Sequence, residues 1–226
     1  MILKVIDFGI GKYRDIWEEQ KNLFNMMVNN KKTGMPFDEE YLLIGEHPSV
    51  YTLGFHGNAD NMLLDPPHLE TTGAEIIRVE RGGDITYHGP GQMIVYPVID
   101  LEFHGLGVKG YMNLLEDCVI ELLAQYGVKG EKIDDAIGIW IGKGTDRERK
   151  ICAMGVKCTR FVTMHGLALN ISTDLSWFSA INPCGFTDKG VTSLACELDQ
   201  SQKMLPSMQE IKSRFIEIFK KNFEVV

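Results

Sequence analysis

Residues 150–172, KICAMGVKCTRFVTMHGLALNIS, decide the fold of this chain because they carry two strand-length apolar segments in succession. Lys150–Cys158 alternates between faces as a strand does, and Val162–Ser172 is typical of a second strand. Apolar runs bounded by turn residues predict further strands on either side. These further strands are Tyr41–Glu46, Val50–Gly54, Glu75–Glu80, Met93–Ile99 and Ala136–Ile141.

Helical periodicity separates these strands at several places along the chain. The predicted helices are Tyr13–Val28, Tyr111–Tyr126, a short helix at Leu175–Ile181 and a last helix after Pro206. Antiparallel strands with interspersed helices predict an α+β fold, in which helices cover a mixed or antiparallel sheet. The chain has 226 residues and shows no repeat or long polar linker, so we expect residues 1–226 to form one domain.

Composition excludes several classes of protein. The net charge of −8 disfavours a nucleic-acid partner, and no apolar run approaches the length of a membrane span. The first residues, MILKVIDFGIGKYRD, are too polar for a signal peptide, so we expect a soluble, cytoplasmic protein. The five cysteines include no CxxC pair, which favours free thiols in a reducing compartment and argues against a metal site.

The segment Arg81–Gln92, RGGDITYHGPGQ, is the first candidate site. Four glycines and a proline within twelve residues, beside Arg81 and His88, indicate a backbone held close to a ligand. The spacing fits neither a dinucleotide-binding loop nor a phosphate-binding loop. An ordinary turn with a structural histidine is the alternative interpretation.

Cys184 is the second candidate, because it lies between Pro183 and Gly185 in a predicted loop. The other four cysteines fall in apolar, periodic segments, where a free cysteine commonly acts as a small core residue. A reactive Cys184 would need a nearby cation that favours its thiolate. Lys150 is the first residue of a predicted strand, and a solvated lysine at a strand end is its structural interpretation. His165 lies in an apolar strand, where its structural interpretation is a buried core histidine.

Taken together, the segments RGGDITYHGPGQ, RKICAMGVK, TMHGLALNI and PCG closely resemble lipoyl(octanoyl) transferases, in order and at similar separations from Ile44 to Leu194. The resemblance implies a fold similar to the catalytic domain of biotin protein ligases and lipoate ligases. It also implies transfer of an octanoyl group from octanoyl-acyl carrier protein to a lysine. The acceptors would be lipoyl domains of 2-oxoacid dehydrogenases and the glycine-cleavage H protein.

The resemblance assigns residue roles as well. It implies that Cys184 is the nucleophile that holds the acyl group as a thioester, and that Lys150 lowers the pKa of this thiol and acts as general acid and base. His165 and Asn170 are expected to support the site. No cofactor, metal, nucleic acid or membrane is implied, and a monomer is expected. The substrate-binding residues would be Arg81, Gly82, Gly83, Asp84, Ile85, Thr86, Tyr87, His88, Ala153, Met154, Gly155, Gly166, Leu167 and Ala168.

Two features depart from the family or lie outside its motifs. Cys152 stands where the family usually has alanine, and strand alternation predicts that it shares a face with Lys150 and borders the site. The charged turn after Ile141 suggests a local basic surface that docks the acidic carrier protein. The residues of that hypothetical surface are Lys143, Arg147, Arg149, Lys157 and Arg160.

The residues are also compatible with three other functions. An ATP-dependent lipoate or biotin ligase would share the fold and need no cysteine nucleophile. A cysteine hydrolase would use a histidine partner, either His165 or His88. A lipoyl-protein binder would keep the fold without the catalytic activity. The presence of both Cys184 and Lys150 argues against this alternative.

Overall fold

A computed structural model describes residues 1–55, 57–63, 71–134, 136–182, 190–200 and 203–224. The strands in chain order are β1 Ile2–Ile10, β2 Glu39–Glu46, β3 Val50–Leu53, β4 Glu75–Arg78, β5 Ile85–His88, β6 Gln92–Val98, β7 Glu131–Ile133, β8 Ala136–Ile141, β9 Arg149–Thr159, β10 Val162–Asn170 and β11 Gly190–Val191. The α-helices are α1 Tyr13–Thr33, α2 Val108–Gln125, α3 Leu194–Asp199 and α4 Met208–Phe223, with 3₁₀ helices at Ala59–Asn61 and Leu175–Ala180.

A large mixed sheet forms the centre of the molecule, with the strand order β1-β2-β6-β10-β9-β8-β7. The pairs β2–β6, β6–β10, β10–β9, β9–β8 and β8–β7 are antiparallel, whereas β1 pairs with β2 in parallel. The short strand β11 adds in parallel to β9. A second sheet, in the order β4-β3-β5, lies beside the first. The sheets therefore contain both strand directions.

Helices cover both faces of the large sheet. On one face, Phe24 and Met27 of α1 pack with Leu43 and Ile94 in one apolar cluster. On the other face, residues of α2 and α4 pack with the neighbouring side chains of the same strands, as the twofold alternation of a strand requires. The residues of this second cluster include Leu42, Ile44, Met93, Val95, Leu115, Val119, Ile211 and Phe215.

The helix ends follow local rules. Gly34 takes a left-handed φ of 71° and ends α1, and its N–H donates to the carbonyl oxygen of Asn30. Ser207 begins α4, where its side chain accepts a hydrogen bond from the backbone N–H of Glu210. None of the helices formed by the described residues has the length and hydropathy of a membrane-spanning helix.

The α+β class predicted from sequence is confirmed, and the strand at Ala136–Ile141 is found at the predicted bounds. Three predictions differ from the structure. The glycine-rich segment Arg81–Gln92, for which no strand was predicted, contains β5 and the first residue of β6. The short helix after Asp174 is a 3₁₀ helix. Residues 2–10, for which no element was predicted, form β1, an edge strand with mostly exposed side chains.

Candidate active site

A cavity of about 430 Å³ lies between strands β9 and β10 of the large sheet and the segment 81–88 of the small sheet. This volume is in the range of small-molecule sites in proteins. Most of the residues predicted to contact substrate line it. Those residues are Arg81, Gly82, Gly83, Asp84, Ile85, Thr86, His88, Ala153, Met154, Gly155, Gly166, Leu167 and Ala168.

The glycine-rich segment lies directly on strand β9. The backbone N–H of Gly82 donates to the carbonyl oxygen of Val156 at 3.0 Å. A Cβ atom on Gly155 would lie only 2.6 Å from the carbonyl oxygen of Gly82. Glycine at position 155 is therefore required for the close approach that closes the cavity on this side.

Lys150 lies at the mouth of the cavity. Its Nζ donates to the carbonyl oxygen of Ile137 at 3.2 Å and lies 4.6 Å from the centroid of the Trp140 ring. Ile137 lines the cavity and is 57% exposed, so this end opens to solvent. The carbonyl oxygen and the aromatic face both hold the Lys150 amino group at this position.

Strand β11 brings a second part of the chain to Lys150. Val191 is in register with Lys150 and also lines the cavity. Cys184, the predicted nucleophile, lies outside the described residues, as do residues 183 and 185–189. The described chain resumes at Gly190, six residues after Cys184, where it pairs with Arg149. The structure thus joins Lys150 to the segment that follows the predicted nucleophile.

A chain of side-chain hydrogen bonds connects the glycine-rich segment with β11. His88 Nδ1 donates to Gln92 Oε1 at 2.8 Å, and Gln92 Nε2 donates to Asn170 Oδ1 at 2.9 Å. Asn170 Nδ2 in turn donates to the carbonyl oxygen of Thr192 at 3.0 Å. The N–H of Thr192 donates to the carbonyl oxygen of Lys150 at 2.9 Å. Asn170, predicted as a supporting residue, therefore positions the strand beside Lys150.

His88 has both ring nitrogens engaged, because Nε2 contacts Thr52 Oγ1 at 3.2 Å while Nδ1 bonds to Gln92. Burial lowers the pKa of His88 from 6.5 to about 3, and the nearby His47 and Arg81 act in the same direction. Arg81 donates to the carbonyl oxygen and the hydroxyl of Thr52. His88 is therefore a neutral, hydrogen-bonded part of the cavity wall.

Tyr87 is the one predicted substrate-binding residue whose side chain does not line the cavity. Its side chain lies on the face of β5 opposite Thr86 and His88, in the apolar cluster that contains Tyr51 and Ile181. Its ring stacks on Trp177 with centroids 5.3 Å apart, and its hydroxyl hydrogen-bonds with Ser49. Tyr87 packs the small sheet instead.

Cys152 does not border the cavity, contrary to the simple alternation argument. The register between β8 and β9 shifts at this point, so Ile139 faces Cys152 while Trp140 faces Lys150. This bulge breaks the twofold alternation. Cys152 is buried in the core that contains Ile151, and burial raises the pKa of its thiol. Its environment is that of a core residue.

The hypothetical basic surface is not formed as one patch. Arg149 begins β9 and Arg160 lies just beyond its end, so the two are about 36 Å apart along the strand. Arg149 makes a two-point ion pair with Glu197, and Lys157 pairs with Glu80. The five residues are therefore divided between the two ends of β9, and two of them, Arg149 and Lys157, are paired with carboxylates.

Sequence reasoning missed several lining residues that the fold brings to the cavity from other elements. They are Tyr13, Gln92, Tyr96, Val108, Met112, Ala136, Ile137, Val156, Phe178 and Val191. Gln92 is the last residue of the glycine-rich segment, and Val156 follows Gly155 on β9. Both could therefore have been predicted to line the cavity from their neighbours in sequence. Within the described part of the chain, no group of three or more His, Cys, Asp or Glu side chains is placed to hold a metal ion.

The family model of the lipoyl protein ligase A/B catalytic domain matches residues 12–220. An octanoyltransferase of Bacteroides fragilis is 49% identical over 208 residues, covering 92% of this chain and 92% of the relative. An octanoyltransferase of Flavobacterium johnsoniae is 43% identical over 227 residues, covering 98% of this chain and 97% of the relative.

Solved structures support the fold. Lipoate-protein ligase A bound with ATP superposes with a TM-score of 0.68 at 17% identity, over 99% of this chain and 85% of the other. A bipartite lipoate protein ligase of Thermoplasma acidophilum gives a TM-score of 0.71 at 15% identity, over 100% and 86% of the two chains. The biotin protein ligase of Aquifex aeolicus gives 0.52 at 10% identity, over 99% and 71%. The fold that the sequence motifs implied is confirmed.

Proposed function

The chain belongs to the lipoyl protein ligase A/B catalytic-domain family, and we propose that it transfers an octanoyl group from octanoyl-acyl carrier protein to a lysine of lipoyl-domain proteins. The acceptors would be the lipoyl domains of 2-oxoacid dehydrogenases and the glycine-cleavage H protein. The observation that carries the proposal is the position of Lys150 at the mouth of the cavity of about 430 Å³. Relatives at 43–49% identity named octanoyltransferase support the identity of the acyl group.

The cavity suits a saturated acyl chain. Its walls combine glycine backbone with apolar side chains such as Leu167, Met154 and Ala153. Burying about seven methylene-sized units at roughly 0.8 kcal/mol each would contribute about 5 kcal/mol to binding of the acyl chain. Strongly polar or shorter acids would lose much of this contribution.

Cys184 and Lys150 would carry the transfer. The ammonium of Lys150 favours the thiolate of a neighbouring cysteine. The Cys184 thiolate attacks the donor thioester, and the carrier thiolate leaves and takes a proton from Lys150. The acceptor lysine then attacks the enzyme thioester as a neutral amine. An amide forms, the Cys184 thiolate is released, and Lys150 accepts the proton that the attacking nitrogen loses.

This route needs no ATP, because one thioester replaces another before the more stable amide forms. A cysteine hydrolase would need a histidine base beside the nucleophile. His88 is held by two hydrogen bonds, one with Thr52 Oγ1 and one that it donates to Gln92 Oε1. The backbone partner of His165 on β9 is Val156, six residues from Lys150 and so about 20 Å along the strand. Neither histidine favours the hydrolase.

Intact-protein mass spectrometry with octanoyl-acyl carrier protein, without ATP, tests the proposal. We expect one hydroxylamine-labile octanoyl group on the wild type and on Cys152→Ser. We expect no such thioester on Cys184→Ser and much slower acylation of Lys150→Ala. Cys152→Ser is the matched control, since Cys152 is the cysteine nearest to Lys150 in sequence. Loss of the adduct in Cys152→Ser, or a requirement for ATP and free octanoate, would contradict the proposal.

Acceptor dependence is the second half of the test. Addition of a lipoyl-domain protein should remove the octanoyl group from the enzyme and place it on one acceptor lysine. Release of free octanoate at the same rate with and without acceptor would indicate a hydrolase instead. An unacylated wild-type enzyme that still binds the lipoyl-domain protein would indicate a binder without catalytic activity.

A further inference from the structure

His165 has an unusual backbone for a residue within a strand. Its φ is 59°, in the left-handed region, while it lies inside β10. Its N–H donates to Oε1 of Gln20 on α1 at 3.1 Å, so the backbone turns towards the helix at this point. A non-glycine residue in this conformation carries strain, and such strain is concentrated at functional sites.

The imidazole of His165 is buried, with 1% of the residue exposed, and it lines the cavity. Among the described residues, neither Nδ1 nor Nε2 of His165 has a hydrogen-bond partner. Buried polar atoms in native proteins are almost always hydrogen-bonded, because an unmade bond is costly. Two unpaired nitrogens on one ring facing a cavity therefore point to a ligand group that the protein itself does not supply.

His165 lies at the closed end of the cavity, opposite Lys150. It pairs in register with Val156, six residues from Lys150 along β9, or about 20 Å. Ile137, whose carbonyl oxygen accepts from the Lys150 ammonium, is 57% exposed, whereas Tyr96, which packs edge-on against His165, is buried. Because Ile139 pairs with Cys152, Ile137 lies further along β9 towards Val156, and the bond from Lys150 Nζ to the Ile137 carbonyl oxygen brings the ammonium closer to His165 than the Lys150 backbone is. An extended acyl chain anchored beside this ammonium has its far end directed towards His165.

The charge state of His165 defines what it binds. Burial lowers its pKa from 6.5 to about 3, and the positive charges of Arg81 and Lys157 act in the same direction. At neutral pH the ring is uncharged and presents one N–H donor and one acceptor nitrogen. A hydroxyl group or a water molecule matches this pair because it both donates and accepts. A methyl group satisfies neither nitrogen.

We propose that His165 forms a hydrogen-bonding subsite at the closed end of the cavity, for a hydroxyl group at the far end of an acyl chain. With a plain octanoyl chain, a water molecule occupies the same position. This inference extends the proposed function by naming a further substrate class, the ω-hydroxyacyl chains, and it rests on the cavity being the acyl site. A hydroxyl that replaces the water and keeps its hydrogen bonds loses little affinity.

Direct binding of free acids tests the subsite without depending on acyl transfer. Isothermal titration with octanoate and 8-hydroxyoctanoate should give wild-type dissociation constants within about threefold of each other, because the buried hydroxyl is paired. In His165→Phe, the ratio should shift against 8-hydroxyoctanoate by roughly ten- to a hundredfold, because the hydroxyl would be buried without a partner. His165→Asn, which tolerates the left-handed backbone and keeps a donor and an acceptor, should stay near the wild-type ratio.

Met164→Leu is the matched control, because Met164 neighbours His165 on β10 but packs against α1 in the apolar cluster of Ile94 and Phe24. Its ratio should equal that of the wild type. The proposal is overturned if the wild type rejects 8-hydroxyoctanoate tenfold or more, or if His165→Phe leaves the ratio unchanged.

A crystal structure of the wild type with octanoate gives a second test that needs no variant. We expect a water oxygen within hydrogen-bond distance of a His165 ring nitrogen, and a dry end of the cavity would contradict the subsite. If both acids bind with the expected ratio while no octanoyl transfer occurs, the subsite stands and the proposed function fails. If transfer occurs and the ratio is not as expected, the proposed function stands and the subsite fails.

Discussion

Val191 lies in register with Lys150, because β11 pairs in parallel with β9 at these two residues. The next residue, Thr192, donates its N–H to the carbonyl oxygen of Lys150 at 2.9 Å. The chain that follows the 183–189 segment is therefore fixed to the strand that carries the proposed base. Several consequences of this geometry can be measured.

Lys150→Ala should slow acylation by octanoyl-acyl carrier protein by about 10²- to 10⁴-fold, the usual contribution of a positioned general acid and base. Rapid-quench mass spectrometry gives the rate. Lys143→Ala is a suitable control, since Lys143 is exposed and bonds to the carbonyl oxygen of Lys132 on the neighbouring surface; its rate should stay within twofold of the wild type. A Lys150→Ala rate within tenfold of the wild type would remove Lys150 from the proposed pair.

Asn170→Ala should lower both stability and activity. The change removes the bonds to Gln92 and to the carbonyl oxygen of Thr192, and leaving these buried groups unpaired costs about 2–4 kcal/mol in the free energy of unfolding. Urea unfolding and the acylation rate measure the two effects. Asn222→Ala, which loses bonds to Glu121 and Ile218 near the helix surface, should cost less than about 1 kcal/mol and leave the rate unchanged. Equal losses in the two variants would argue against a positioning role for Asn170.

Gly155→Ala should disturb the closure of the cavity, because its Cβ would lie 2.6 Å from the carbonyl oxygen of Gly82. We expect a loss of about 1–3 kcal/mol in stability and a lower kcat/KM for the octanoyl donor. Gly107→Ala is the matched change, with no atom within 4 Å of the new Cβ and an ordinary φ of −92°. It should cost under about 1 kcal/mol. A Gly155→Ala enzyme with wild-type kcat/KM would show that the close approach is not required.

Acidification should destabilise the protein through its buried histidines. Burial lowers the pKa of His47 from 6.5 to about 4, so between these pH values the unfolded state binds a proton that the folded state does not. Stability then falls as pH falls through this window, by about 1 kcal/mol per pH unit for one histidine. His47→Gln removes this contribution, so its unfolding free energy should fall less steeply between pH 6 and pH 5. Parallel slopes for the wild type and His47→Gln would contradict the assignment.

The strands and the main site motifs could be predicted from sequence because their signals are local. The apolar run at Ala136–Ile141 and the alternation after Lys150 each lie within one element. The register shift between Ile139 and Trp140 arises from the pairing of β8 with β9, and as a result Cys152 lies in the core. Strand alternation within β9 alone does not contain this information.

Long-range packing accounts for most of what the sequence did not indicate. Tyr13 reaches the cavity because α1, which begins at this residue, packs on the large sheet beside β6 and β10, whereas Tyr96 reaches it from β6 itself. Strand β1 is mostly apolar but has few buried side chains and no regular alternation of burial, and its position is fixed by its parallel pairing with β2. The role of Asn170 likewise depends on β11, which is only two residues long.

The hydrogen-bonded connection from His88 through Gln92 and Asn170 to Thr192 is built from amides and a neutral imidazole. Amide side chains do not titrate, and the imidazole gains a proton only near pH 3. The side chains that hold the strand beside Lys150 therefore do not change their charge over the pH range in which an enzyme works. A pH–rate profile of this protein will accordingly report the ionisation of its reacting groups and substrates, with no contribution from the framework that aligns them.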